Sequence, residues 1–195
     1  PALPVRTEAR EPREQAVVLV GFPGVDLADP RVDALSVLQK ALSGLSSDLG
    51  IEIREKRGLV YYVGAFSLVA LDPGFFAFYA GTRAEAVPEV ERQIDEQVAR
   101  IVRDGLRDEE FNRAREQLLA AQDMSLQNNS DLAQSCALNE LYGLGYRYQF
   151  EAADRLRSLT PADVQRAAAS VFQPDRRATS VVLPATTAQT ESTHE

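Results

Sequence analysis

The chain has 195 residues, 45% of them hydrophobic, enough apolar material for a domain with its own core. Its single cysteine, Cys136, excludes a disulfide framework and a multi-thiolate metal site. With 21 Lys+Arg against 29 Asp+Glu the net charge is -8 and no basic cluster stands out, which argues against nucleic acid or an anionic membrane surface as partner.

Residues 1 to 14, PALPVRTEAREPRE, mix prolines with charges, lack the apolar core of a signal peptide, and read as an extended linker from an earlier part of a longer polypeptide. AVVLVGF, 16 to 22, is a short apolar run that reads as a buried strand, closed by Pro23-Gly24. Val32, Leu35, Leu38 and Leu42 recur at helical spacing until Ser43-Gly44. A second short helix is expected from about Ser46 to Lys56, with Leu45, Leu49 and Ile53 as its buried stripe and Gly58 as its left-handed terminator. Two strands follow, LVYYVGAFSLVA and FFAFYAGT, joined by Leu71-Asp72-Pro73-Gly74 as an antiparallel hairpin. Both faces of each carry apolar or aromatic residues, so one face is expected under helices and the other under a different cover, such as another domain.

From Gly81-Thr82 the pattern is helical for about ninety residues. Val87, Val90, Ile94, Val98 and Ile101 form one face up to Gly105; Phe111, Ala114, Leu118 and Ala121 form the next, behind Asp108-Glu109-Glu110, whose charges suit a helix start. A helix from Ser130 or Asp131 to Leu141, carrying Cys136 on its apolar face, ends at Gly143 and Gly145, and a shorter one is expected near 149 to 158. Thr160-Pro161-Ala162-Asp163 caps a helix that stops near Phe172, and ATSVVL, 178 to 183, is a last strand. ATTAQTESTHE, 185 to 195, reads as a disordered tail holding the only histidine, His194. No apolar run approaches the roughly 20 residues of a membrane span, so a soluble chain is expected. The sum is an α+β fold: an antiparallel sheet of about four or more strands with helices packed on one face.

GFPG (21 to 24), LSGLSSDLGIEIREKRGLVYYV (42 to 63), the DPG turn with Gly81-Thr82, GLRDEEFNRAREQLL (105 to 119) and LTPADV (159 to 164) occur in an order that resembles the C-terminal, non-zinc-binding half of the pitrilysin and mitochondrial processing peptidase family, the inverzincins. The likeness runs from about residue 15 to 184. It implies a domain that encloses a chamber with a homologous domain or subunit carrying zinc on a His-x-x-Glu-His helix. This chain has no His-x-x-Glu-His and one histidine in all, so it is expected to bind no zinc and to be inactive alone. Bacterial members of the family occur in the cytoplasm and in the periplasm, and one cysteine suits either.

The resemblance also implies that this half reaches into its neighbour's site with an arginine and, seven residues on, a tyrosine: here Arg54 and Tyr61. A guanidinium and a phenol are donors suited to peptide carbonyls, and a donor aimed at a developing oxyanion lowers the barrier. Tyr61 would support the scissile carbonyl and Arg54 would clamp the substrate backbone. Spacing alone gives a plainer account, a solvated charge at a helix end and a half-buried strand tyrosine. Strict alternation puts Tyr62 on the opposite face from Tyr61, in the core, and makes Phe66, Phe75, Phe76, Phe78 and Tyr79 packing residues, some of which could face a missing domain. Cys136 has no histidine partner for nucleophilic work. Three classes of function fit: an accessory, peptide-binding half of a zinc peptidase, a scaffold subunit of the same fold, as in respiratory cytochrome complexes, or an unrelated binding module.

Overall fold

The computed structural model describes residues 3–44 and 47–185. Beyond Ala185, the expected tail with His194 lies outside them, as does Leu45. Five strands form one sheet in the order β1-β5-β2-β4-β3: β1 Val5–Glu11, β2 Ala16–Pro23, β3 Val60–Leu68, β4 Phe75–Thr82 and β5 Ala178–Pro184. The pairs β2–β4, β2–β5 and β3–β4 are antiparallel, while β1 lies parallel to β5, so the sheet is mixed. Part of the expected linker is therefore sheet. Val5–Glu11 escapes sequence reading because its alternate residues are charged: Arg6, turned to the helix side, meets Glu91 at 3.0 Å instead of entering the core.

The helices are α1 Val32–Ala41, α2, which begins as Asp48–Gly50 and continues with wider π-helical turns over Ile51–Lys56, then α3 Val87–Asp104, α4 Asp108–Ser125, α5 Asn129–Leu141, α6 Ala152–Ser158 and α7 Pro161–Val171. β2 shows why one sheet face is covered: Ala16, Val18, Val20 and Phe22 are buried, and the residues between them are half-buried. Phe76 and Phe78 of β4 point the same way and meet Phe172 at ring-centroid distances of 5.1 and 5.5 Å. Leu35 and Leu38 of α1, Val90, Ile94 and Ile101 of α3 and Val164 and Ala168 of α7 close this core. Burial of such side chains contributes about 1.5–3 kcal/mol each for the larger ones, the main term favouring this arrangement.

Local signals fix the helix starts. Thr160 and Asp163 form a reciprocal capping box on α7. Asn128, rather than Ser130 or Asp131, caps α5, its side-chain oxygen accepting from the amides of both. Ser47 caps α2, its hydroxyl oxygen accepting from the Gly50 amide at 3.0 Å. The apolar face expected on α5 is not buried within this chain: no residue of the helix is buried and Cys136 is half-buried. Among the described residues, no helix is long and apolar enough to cross a membrane.

Candidate functional site

The corner between α2 and β3 is built by three local features. Leu49 and Ile53, both fully buried, anchor α2 on the core and leave the next residue, Arg54, exposed. Gly58, at φ 60°, turns the chain out of the helix while its amide bonds the Arg54 carbonyl at 3.1 Å and the Leu59 amide bonds the Ile53 carbonyl at 3.1 Å. β3 then starts with an irregularity: Val60 pairs with Thr82 and Tyr62 with Gly81, which leaves Tyr61 as an extra, unpaired residue. π-helical turns and β-bulges both re-aim side chains at the expense of regular hydrogen bonding, and this corner contains one of each.

Arg54 and Tyr61 thus stand at the same corner, both exposed, Tyr61 at 57%. Neither side chain has a hydrogen bond or ion pair among the described residues, while neighbouring cations are engaged: Lys56 with Glu52 at 2.8 Å, and Arg57 with Glu52 at 3.8 Å and Glu89 at 3.6 Å. The two donors are free to meet a ligand.

Tyr62 is not in the core. The extra residue breaks the alternation, and Tyr62 lies 40% exposed on the sheet face that the helices do not cover. Its ring rests where a Cβ on Gly81 would be, and Tyr79 rests likewise over Gly64. Tyr62, Tyr79, Phe66 and Phe75 form a chain of rings with centroids 6.1, 6.0 and 5.4 Å apart. Of the aromatics expected to pack, Phe76 and Phe78 are core, whereas Phe66, Phe75 and Tyr79 belong to this uncovered face.

Register extends the pattern across all five strands. Three rows cross the uncovered face: Val5, Ala178, Gly21, Ala77, Phe66; Thr7, Ser180, Leu19, Tyr79, Gly64; and Ala9, Val182, Val17, Gly81, Tyr62. Not one of these residues is charged. A sheet face meant for water alternates to polar residues, so this composition indicates a face made to be covered. Periodicity along single strands hints at it; the rows emerge only from the pairing. A groove of about 440 Å³ lies at one end, lined by Leu19, Gly21, Phe75, Ala77, Ala178 and their neighbours.

Along the edge of β3, the Ala65 carbonyl accepts from Gln39 Nε2 at 3.1 Å and from Ser43 Oγ at 2.8 Å, both from α1 or its C-terminal turn. The described residues offer no donor set for zinc, since no group of three or more His, Cys, Asp or Glu side chains is placed to hold a metal ion.

A family profile described as the peptidase M16 inactive domain matches residues 2–118. An uncharacterised zinc protease of Streptomyces coelicolor is 34% identical over 183 residues, covering 93% of this chain and 40% of that protein. The chain therefore spans less than half the length of such curated relatives. The crystal structure of a peptidase M16 inactive domain from Pseudomonas fluorescens superposes with a TM-score of 0.84 at 23% identity, over 93% of this chain and 44% of that one. The inactive peptidase domain from Bordetella parapertussis does so with a TM-score of 0.80 at 20% identity, over 92% of this chain and 98% of that one.

Proposed function

Because the chain belongs to the M16 peptidase family, as a copy of its inactive domain, we propose that it is the accessory, substrate-binding half of a zinc-dependent metallopeptidase, with zinc and general base on a homologous catalytic domain or subunit. The observation that carries this reading is the corner itself: Arg54 and Tyr61, exposed and without partners of their own among the described residues, presented by a π-helical turn and a bulge. The uncharged sheet face supports the second part, because a homologous domain is a cover of the right size and chemistry.

In this reading the Arg54 guanidinium donates to carbonyl oxygens of an extended peptide, a contact that needs no particular side chain on the substrate. The Tyr61 hydroxyl donates to the scissile carbonyl oxygen as negative charge gathers on it, and covering the sheet face excludes the water that would compete for that oxygen. Neither residue transfers a proton to the peptide nitrogen; that work belongs to the other half.

The test uses the complete, zinc-loaded protein on a tryptic digest of β-casein. Tyr61→Phe is expected to lower kcat by about 10²–10³ with the thermal midpoint unchanged, the effect of losing one well-aimed oxyanion donor. Arg54→Ala acts chiefly on KM. A wild-type protein that cuts no peptide would overturn the reading and favour the scaffold subunit instead.

A further inference from the structure

The two edges of the sheet are guarded differently. β1 carries Arg6, Glu8, Arg10 and Glu11, a charged edge that resists unplanned pairing. β3, the opposite edge, has no charged residue and no proline from Val60 to Leu68. Its protection is local. The Ala65 carbonyl is occupied by Gln39 and Ser43, so Ala65 turns its backbone away from β4. In an antiparallel pair the outward-turned residues alternate, and the register from Val63 to Leu68 is regular, so Val63 turns outward as well. No hydrogen bond outside the ladder reaches the Val63 backbone among the described residues. Past the end of β3, the Ala70 carbonyl accepts from the Leu27 amide at 2.9 Å. By the same alternation Ser67 turns outward, and no hydrogen bond outside the ladder reaches it among the described residues, but the occupied Ala65 carbonyl separates it from Tyr61–Gly64, the open stretch nearest Arg54.

We propose that this open stretch receives the backbone of an extended peptide as a short added strand, with the amide and carbonyl of Val63 forming the pair of hydrogen bonds that set the peptide's register beneath the Tyr61 phenol. The inference rests on the reading of this chain as a substrate-binding half, and it adds a main-chain grip to the two side-chain donors. Pairing of this kind draws affinity from backbone groups and selectivity from alternate side chains. The peptide residue on the uncovered-face side lies beside Tyr62, so an apolar side chain is preferred there, and the added strand stops short of Ala65, whose carbonyl Gln39 and Ser43 already occupy. Continuity with the Arg54–Tyr61 corner selects a peptide as occupant over a strand of the homologous half or a second copy of this chain.

Val63→Pro deletes an outward amide, a change that an edge strand accommodates. In the complete protein, acting on a casein peptide that the wild type cleaves, it is expected to lower kcat/KM at least about fivefold, the effect of one lost hydrogen bond with its approach blocked. Ser67→Pro makes the same outward change on the far side of the occupied Ala65 carbonyl and leaves kcat/KM within about twofold. Equal cleavage by wild type and Val63→Pro sinks this inference alone, whereas a wild type that cleaves nothing sinks the proposed function with it. Should Val63→Pro fold poorly, hydrogen exchange on the wild-type protein decides: with zinc chelated and the same peptide added, amides in 61–64 slow while those in 66–68 do not. Unchanged exchange at 61–64 on peptide addition overturns the proposal. So does protection already present without peptide, which would place the homologous half on this edge, or protection that rises with protein concentration, which would place a second copy there.

Discussion

At Gly81 an added Cβ would stand 2.3 Å from the Tyr62 ring, and at Gly64 it would stand 2.7 Å from the Tyr79 hydroxyl. Both obstacles are the far parts of side chains on the uncovered face, so the rings can swing away. Gly81→Ala and Gly64→Ala are therefore expected to change folding stability by less than about 1 kcal/mol, the scale of a glycine replacement in a strand. They should nonetheless lift the tyrosines off the sheet and alter the near-ultraviolet circular dichroism, which has no tryptophan to mask it. An unchanged tyrosine signal would mean that the rings do not lie against the glycines in solution. The same residues show how far single positions are legible. That Arg54 and Tyr61 share one corner can be read from the sequence, because the helix end, Gly58 and the start of β3 are local features. The side taken by Tyr62 cannot, because it is decided by one extra residue in the pairing with β4, and nothing in VYYV marks where the bulge falls.

Among elements, α2 and α7 were legible through their ends and β1 was not. A buried stripe and a following glycine announce α2, whose capping Ser47 is identified by the structure, and Gly58 at φ 60° has nothing within 4 Å of an added Cβ. Gly58→Ala thus tests the backbone alone: a cost of about 1 kcal/mol, read from the urea midpoint, is expected for forcing a left-handed conformation on alanine. In α7, the Thr160 amide bonds Asp163 Oδ2 at 2.8 Å, and the Thr160 hydroxyl, then its amide, hold the Asp163 carboxyl below the usual carboxylate range. A folded-state value below the unfolded one, near 3.9, adds stability that is present above the unfolded value and lost as pH falls through the folded value. The difference in urea midpoint between wild type and Asp163→Asn should therefore be present at pH 7 and fade below about pH 4; a difference that persists at pH 2 would assign the effect to packing instead. β1 lacked comparable signals. Its partner β5 is distant in sequence, and its inward positions carry Arg6, answered by Glu91 on α3, and the charged Glu8 and Arg10 instead of apolar residues, so neither a turn motif nor a hydrophobic period announces it.

For the whole molecule the question is what covers the uncharged face. Leu19 sits in the middle row, between Ser180 and Tyr79, half-buried by its neighbours and away from the helical core. An arginine there can extend into solvent when this domain stands alone, so Leu19→Arg is expected to shift its thermal midpoint by only a few degrees, as surface changes within about 0.5 kcal/mol do. In the complete protein the same guanidinium would be trapped against apolar surface, where an unpaired charge costs several kcal/mol. The measurement cuts any covalent link between the halves at an engineered protease site and follows association by size-exclusion chromatography. Wild-type halves should remain together and Leu19→Arg halves should separate, while Glu116→Arg, on the exposed surface of α4, should behave as wild type. If Leu19→Arg halves stay together as firmly as wild type, the face is open to the chamber rather than sealed, and the rows of uncharged residues would then belong to the surface that meets substrate.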